Sequence, residues 1–140
     1  MRCARSRGPI FGAVRIIIAD DQRHTRSGLK ALLLASLPTA DIWEAATGLE
    51  AVRLSQEVLP DLILMDIRMP ELDGLSAARR IKASQATVKI LVLSLRCCGA
   101  EEAAAAGADG FVSKGESPER LLGAIAELLP APAHPPVPPS

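Results

Sequence analysis

Residues 62–75 read LILMDIRMPELDGL, and this stretch decides the fold prediction. Residues 62–65 form a short apolar run without polar alternation, which is typical of a strand covered on both faces of a parallel sheet. The run ends at Asp66, and a helical pattern begins after Asp73, a residue type that often caps helix N-termini. The stretch therefore predicts one strand followed by one helix, with a carboxylate where the strand ends.

Four more apolar runs occur, and each is followed by a helical pattern. These strands are predicted at residues 14–19, 42–46, 89–93 and 110–112, and the five helices at residues 23–37, 47–58, 75–83, 100–106 and 117–129. The fourth helix is nearly all alanine, so we expect it to be short and to bury little surface against the sheet. Five strands that alternate with five helices predict an α/β fold with a doubly wound parallel sheet.

The composition is that of a folded chain with no net charge. Of its 140 residues 49% are hydrophobic and the mean hydropathy is +0.22, which excludes wholesale disorder. Sixteen lysines and arginines balance sixteen aspartates and glutamates, so the chain lacks the basic surface of a dedicated nucleic-acid binder. Trp43 and two phenylalanines are its only aromatic residues, which argues against a platform for stacked bases.

The cysteines and the two ends of the chain indicate compartment and domain organisation. The three cysteines are odd in number and lack metal-ligand spacing, so we expect a reducing, cytoplasmic environment. No apolar run reaches the length of about 18 residues that a membrane span needs, so no membrane partner is expected. We predict a disordered extension at residues 1–12, one domain at residues 13–129 and a proline-rich tail or linker at residues 130–140.

The predicted strands end at residues that can carry chemistry: Asp20 and Asp21, Asp66, Ser94 and Lys114. In a doubly wound sheet the carboxyl ends of the strands converge on one crevice, so we expect these side chains to meet. Three carboxylates in one crevice repel one another, and a bound Mg²⁺ would relieve that repulsion. A hard cation, a lysine and a hydroxyl suit a phosphoryl group, with one aspartate as its nucleophile. The constellation therefore favours phosphoryl-transfer chemistry.

Residues 14–129 resemble the receiver domain of two-component response regulators. The resemblance rests on the acidic pair after the first strand, the stretch LILMDIRMPELDGL, the serine after the fourth strand and GADGFVSK at residues 107–114, which occur in the family's order. Residues 107–129 look most like the NarL/FixJ-type (LuxR-family) subfamily. The resemblance implies a flavodoxin-like (βα)5 receiver fold with five parallel strands in the order 2-1-3-4-5.

Carried over position by position, the resemblance implies that Asp66 is the phosphoacceptor. Asp20 and Asp21 match the metal-binding pair of the family. Asp66 and the backbone carbonyl of Arg68 would complete the protein ligands of a Mg²⁺ cofactor. The site implied by the resemblance is therefore a magnesium site built around the phosphoacceptor.

Three further positions match residues that respond to phosphorylation in the family. Ser94 matches the hydroxyl that follows the phosphoryl group, Lys114 matches the partner of its charge, and Phe111 matches the aromatic switch residue of the fifth strand. Phosphorylation would repack the face formed by the fourth helix, the fifth strand and the fifth helix. The resemblance thus implies a signalling domain, not an enzyme, although such a domain assists its own phosphorylation and dephosphorylation.

The resemblance also implies partners. Family members take their phosphoryl group from a sensor histidine kinase. Homodimerisation is expected through the first and fifth helices, or through the switch face, which is the face formed by the fourth helix, the fifth strand and the fifth helix. The subfamily usually regulates transcription. Two alternatives stay open: a stand-alone receiver, or a receiver whose output domain is absent from this chain. In the second case we expect contact with DNA only through that output domain.

Two departures from the family pattern keep a second interpretation open. Leu95 stands where the family usually has a small residue, and the stretch from Ser94 to Gly107 is shorter than usual. The alternative is a pseudo-receiver, a protein-interaction module that works without phosphorylation. A phosphatase with an aspartate nucleophile is disfavoured, because the position where its second aspartate would stand is Arg68. A cobalamin-binding module is disfavoured because the D-x-H-x-x-G loop is missing after the first strand.

Overall fold

Five strands and five helices alternate along residues 13–95 and 99–129, the part of the chain that this computed structural model describes. The strands are β1 (Arg15–Ala19), β2 (Asp41–Ala45), β3 (Leu62–Asp66), β4 (Lys89–Ser94) and β5 (Gly110–Ser113). The helices are α1 (Arg23–Ser36), α2 (Gly48–Val58), α3 (Gly74–Ser84), α4 (Ala100–Ala105) and α5 (Pro118–Leu128). The predicted succession of elements is confirmed, and each end lies within one residue of its prediction.

The five strands form one parallel sheet in the order β2-β1-β3-β4-β5. This is the predicted order 2-1-3-4-5, so the flavodoxin-like fold class is confirmed. β1, β3 and β4 lie inside the sheet, and the residues of β3 are buried along its whole length. Burial on both faces explains why these strands are continuous apolar runs without polar alternation.

Two hydrophobic layers hold the sheet between its helices. Alternate residues of each inner strand point to opposite faces, because the side chains of a strand have a period of two. The layer that includes α1 and α5 contains Ile16, Ile18, Leu62, Leu64, Leu91 and Leu93. The opposite layer, which includes α2 and α3, contains Ile17, Ile63, Met65, Ile90 and Val92. With both faces covered by helices, the edge where the strands end is left for polar residues.

Three of the five helices described here begin at a side-chain cap, namely α2, α3 and α5. Thr47 accepts a hydrogen bond from the backbone of Glu50 (3.0 Å), and Asp73 and Ser117 accept equivalent bonds at the starts of α3 and α5. Thr47 and Glu50 have the spacing of a capping box, and their contacts follow that pattern with one difference. The Glu50 carboxylate reaches back to the backbone N–H of Ala46 at 2.8 Å, one residue before the cap.

The fourth helix is as short as its composition predicts. α4 has six residues, and its only buried residue is Ala103. The predicted extension at residues 1–12, the predicted tail at residues 130–140, and Cys97 and Cys98 lie outside the described residues. None of the helices formed by residues 13–95 and 99–129 has both the length and the apolar character needed to cross a membrane.

Candidate functional site

The register of the sheet places the predicted site residues at one edge. Asp66 pairs with Leu93 between β3 and β4, and Ser94 pairs with Ser113 between β4 and β5. Lys114 follows directly, and its backbone N–H donates to the carbonyl of Ser94 at 2.7 Å. The carboxyl ends of the parallel strands therefore bring together Asp66, Ser94 and Lys114 from three separate parts of the chain.

Three carboxylates meet at this edge. One oxygen each of Asp20, Asp21 and Asp66 lies within 4.8 Å of the other two. Asp20 is 1% exposed and Asp66 is 8% exposed, whereas Asp21 is open to solvent. The structure thus joins the acidic pair that follows β1 to the aspartate at the end of β3, as the sequence predicts.

Lys114 lies between the two buried carboxylates. Its Nζ atom is 2.7 Å from Oδ2 of Asp20 and 3.2 Å from Oδ1 of Asp66. Burial alone would lower the pKa of Lys114, but its hydrogen bond to Asp20 and the charge of Asp66 outweigh burial and raise the pKa. The side chain is consequently an ammonium at neutral pH and can hold an anionic group.

The charge balance at Asp66 is unfavourable to its ionised form. The pKa of Asp66 is raised. The largest cause is burial of its carboxylate, and the negative charge of Asp20 raises the pKa further, although the positive charge of Lys114 lowers it. One lysine therefore does not neutralise the three carboxylates. An additional cation at this position would favour the ionised form of Asp66.

The donor set fits a hard divalent cation. The candidate ligands are carboxylate oxygens, two of them on buried residues, and oxygen is the donor that Mg²⁺ prefers. The excess negative charge beside Lys114 gives a reason for a cation to bind. The aspartate cluster can accordingly hold a metal ion.

A cavity of about 580 Å³ opens onto Asp66. Its lining includes Asp21, Ser94, Leu95 and Lys114, so the carboxylates of Asp21 and Asp66 and the lysine can be reached from this cavity. The Leu95 side chain is 79% exposed and lies at this cavity without filling it. A small anionic group therefore has room beside Asp66.

The remaining predicted site residues lie around the cluster. Arg68 is exposed and lines the same cavity, and Ser94 is buried at its wall. Phe111 is half-buried and packs against the hydrophobic layer on the α2 and α3 side of the sheet. A Cβ atom added to Gly99 would lie 3.2 Å from the Phe111 ring, so the start of α4 is close to this side chain.

Three residues that hold the site were not predicted from the sequence. The backbone N–H of Gln22 donates to Oδ1 of Asp20 at 2.9 Å, and Nη1 of Arg26 donates to the carbonyl of Asp20 at 2.7 Å. Gly74 lies so close that a Cβ atom there would be 1.9 Å from the carbonyl oxygen of Asp66. For Gly74 the available signal was a glycine directly after the cap of α3, whereas Arg26 stands in no motif.

A doubly wound parallel sheet with an acidic cluster and a lysine at its carboxyl edge defines an α/β domain whose polar site can hold a cation beside an anionic group. Residues 16–126 match the response regulator receiver domain family. The chain therefore belongs to the family of response regulator receiver domains, and the prediction made from the resemblance is confirmed. Phosphorylation on an aspartate is the general function of this family.

Three relatives show the range of proteins that contain such a domain. The chain is 38% identical over 78% of its length to the uncharacterized transcriptional regulatory protein YhcZ of Bacillus subtilis, of which it spans 52%. It is 36% identical over 85% of its length to the chemotaxis protein CheY of Halobacterium salinarum, of which it spans 99%. The crystal structure of a LuxR-family two-component response regulator from an Aurantimonas species has a TM-score of 0.78 and 33% identity, covering 83% of this chain and 84% of that one.

Proposed function

We propose that this domain accepts a phosphoryl group on Asp66 from a sensor histidine kinase. The observation that carries the proposal is the position of Lys114, whose ammonium lies 3.2 Å from Asp66 at an open cavity. Membership of the receiver family supports the same chemistry. Asp66 is the candidate nucleophile because it is the carboxylate at the end of an inner strand that also faces the cavity.

In the proposed metal site, Asp20, Asp21, Asp66 and the backbone carbonyl of Arg68 hold Mg²⁺. The clustered carboxylate oxygens of the three aspartates support this assignment. When bound, the cation supplies charge neutralisation for the phosphoryl oxygens. Asp20 is also the carboxylate nearest to Lys114, so one residue of the proposed metal site is in direct contact with the lysine.

The proposed transfer forms one bond and breaks one. A carboxylate oxygen of Asp66 attacks the phosphorus of the kinase phosphohistidine, the new O–P bond forms, and the P–N bond breaks. The electron pair of the broken bond remains on the imidazole nitrogen. Lys114 donates to a phosphoryl oxygen, and the hydroxyl of Ser94 donates to another, which orients the group on Asp66.

The proposed output is a change in the face formed by α4, β5 and α5. Phe111 is half-buried beside the start of α4, so a movement of this region toward a phosphoryl group would change what the ring packs against. Homodimerisation through this face or through α1 and α5 would follow. Control of transcription through an output domain is supported by the similarity to the transcriptional regulatory protein YhcZ, of which this chain spans about half.

Intact-protein mass after incubation with acetyl phosphate tests the phosphoacceptor assignment. We expect one phosphoryl adduct in the presence of Mg²⁺, and no adduct when the metal is chelated or when the variant Asp66→Ala is used. Asp73→Asn is the matched control, because it removes a carboxylate from the same loop without touching the cluster, and it should keep the adduct. An adduct of undiminished yield on Asp66→Ala would contradict the proposal.

A phosphorylation-independent interaction module is the second candidate. It is favoured by the six-residue α4, which offers a reduced switch face, and by Leu95, which is 79% exposed beside the cavity. This candidate requires that the parent protein takes no adduct from acetyl phosphate or phosphoramidate at saturating Mg²⁺. An adduct with either donor would exclude it.

A further inference from the structure

Arg26 joins three segments of the chain beside the acidic cluster. The residue lies in the first turn of α1, and its side chain is 14% exposed. Its Nη1 atom donates to the backbone carbonyl of Asp20 at 2.7 Å, and its Nε atom donates to Oε1 of Glu44 at 2.9 Å. One guanidinium therefore ties α1 to the end of β1 and to β2. This arrangement uses the planar fork of arginine, which lysine does not have.

The carbonyl that Arg26 holds belongs to the peptide bond between the two acidic residues. Fixing this peptide group fixes the direction in which the backbone of Asp21 leaves Asp20. The Asp20 side chain is held independently, because Oδ1 accepts from the N–H of Gln22 at 2.9 Å and Oδ2 accepts from Lys114 at 2.7 Å. Arg26 is thus not needed to orient the carboxylate of Asp20.

Asp21 is in a different situation. Its side chain is exposed, and no hydrogen bond or ion pair reaches its carboxylate from residues 13–95 and 99–129. Its oxygen nevertheless lies within 4.8 Å of those of Asp20 and Asp66. The backbone that carries Asp21 is therefore what places this carboxylate in the cluster.

We propose that Arg26, held by Glu44, is a positioning residue that places Asp21 for metal binding. This inference rests on the proposed Mg²⁺ site. Arg26 and Glu44 would help to set the affinity of that site for Mg²⁺. Contacts behind metal ligands commonly change metal affinity by about 10–100-fold when they are lost. Arg26→Lys should therefore weaken Mg²⁺ binding at least about tenfold, since lysine cannot bridge both oxygens with the same fork.

Charge alone predicts the opposite result. Arg26 is a cation near the cluster, so its removal would strengthen Mg²⁺ binding if electrostatics decided the outcome. Arg26→Lys keeps the charge and removes the fork, whereas Arg26→Met removes both. Weaker binding in both variants indicates positioning, and stronger binding in Arg26→Met would overturn the proposal.

Lys30→Met is the matched control. Lys30 lies 3.8 Å from the second carboxylate oxygen of Glu44 and is 43% exposed, but it makes no hydrogen bond to Asp20. Its replacement also removes one positive charge from the same group of side chains. We expect Lys30→Met to bind Mg²⁺ with the affinity of the parent. The Mg²⁺ affinity of Glu44→Gln should lie between that of Arg26→Lys and that of the parent, because a neutral amide oxygen still accepts a hydrogen bond from Nε of Arg26.

The experiment is a titration of the full chain with Mg²⁺ alone, followed by amide chemical shifts, with the Tm measured separately in chelator. We expect the dissociation constant to rise at least about tenfold for Arg26→Lys and to stay unchanged for Lys30→Met. If Arg26→Lys lowered the Tm but bound Mg²⁺ like the parent, Arg26 would be a structural residue only and the inference would be wrong. Absence of Mg²⁺ binding in the parent would overturn the proposed metal site itself, and the inference with it.

Discussion

Lys114 and Asp20 are 94 positions apart in the chain and share a hydrogen bond of 2.7 Å between Nζ and Oδ2. The bond joins the residue after β5 to the residue after β1. In the sheet these two strands are separated by β3 and β4. Asp20 is 1% exposed, so its carboxylate depends on this ammonium for compensation of its charge. The same ammonium is the group that faces Asp66, which makes one lysine responsible for both stability and chemistry.

Replacement of Lys114 should therefore destabilise the metal-free protein. Lys114→Met leaves the carboxylates of Asp20 and Asp66 without their cation, and loss of one partner of a buried ion pair costs about 3 kcal/mol. Urea unfolding in chelator measures the change in the free energy of unfolding, with Lys30→Met as the exposed control. We also expect Mg²⁺ to restore part of the loss. Equal stability of Lys114→Met and the control would show that the ion pair does not stabilise the fold.

Asp66→Asn should have the opposite effect on the metal-free protein. Burial and the charge of Asp20 raise the pKa of Asp66 above its ordinary value of 3.8, so the folded state binds a proton more tightly than the unfolded state. The contribution of Asp66 to stability therefore falls as the pH rises from about 4 through the raised pKa. The asparagine removes this penalty, so the Tm in chelator should rise by a few degrees at neutral pH and should not rise in acid. A lower Tm for Asp66→Asn at neutral pH would contradict the charge balance described for the site.

The cap of α3 gives a second pH dependence with the other sign. Oδ1 of Asp73 accepts from the backbone N–H of Ser76 at 2.9 Å, and this bond is the largest cause of its lowered pKa. Its stabilising effect is present above about pH 4 and is lost as the pH falls through the lowered pKa of the folded state. Asp73→Ala should cost about 1 kcal/mol in urea unfolding at neutral pH.

Asp73→Asn is the control for that measurement, because asparagine caps helices as well as aspartate but does not titrate. It should match the parent at neutral pH and lose nothing in acid. A deficit of Asp73→Ala that persisted unchanged in acid would show that the carboxylate charge is unimportant for the cap.

The end of α2 contains a residue in an unfavourable backbone conformation. Leu59 has φ 55° and ψ 66°, in the left-handed region that favours glycine, and its side chain is 56% exposed. Leu59→Gly should raise the free energy of unfolding by about 0.5–1 kcal/mol, since it removes the clash of Cβ at small cost in packing. Gly107 has φ 95°, so Gly107→Ala is the opposite test and should lower stability by about 1 kcal/mol. Urea unfolding that showed no gain for Leu59→Gly would contradict this interpretation.

The sequence allowed the architecture and the cluster to be predicted because both depend on the same local pattern. The continuous apolar runs end at Asp20, Asp66, Ser94 and Lys114, and parallel strands must bring their ends to one edge. Periodicity does not determine which strands are neighbours. The order 2-1-3-4-5 came from the resemblance to the receiver family, and the structure confirms it.

The contacts that position the cluster could not be predicted in the same way. Arg26 reaches the carbonyl of Asp20 and the carboxylate of Glu44 only after three segments have packed together. No local sequence spacing indicates these contacts. The left-handed conformation of Leu59 could not be predicted either, because glycine or asparagine, and not leucine, usually adopts this conformation at the end of a helix. Long-range contacts and strained caps depend on the tertiary structure, whereas strand ends are determined by the local pattern.

The most direct test of the central proposal is to identify the residue that carries the phosphoryl group. Reduction of an aspartyl phosphate with borohydride converts that aspartate to homoserine, which peptide mass spectrometry locates in the chain. After treatment with acetyl phosphate and Mg²⁺, we predict homoserine at position 66 alone, and none when Mg²⁺ is chelated. Homoserine at Asp20 or Asp21, with position 66 unchanged, would contradict the account.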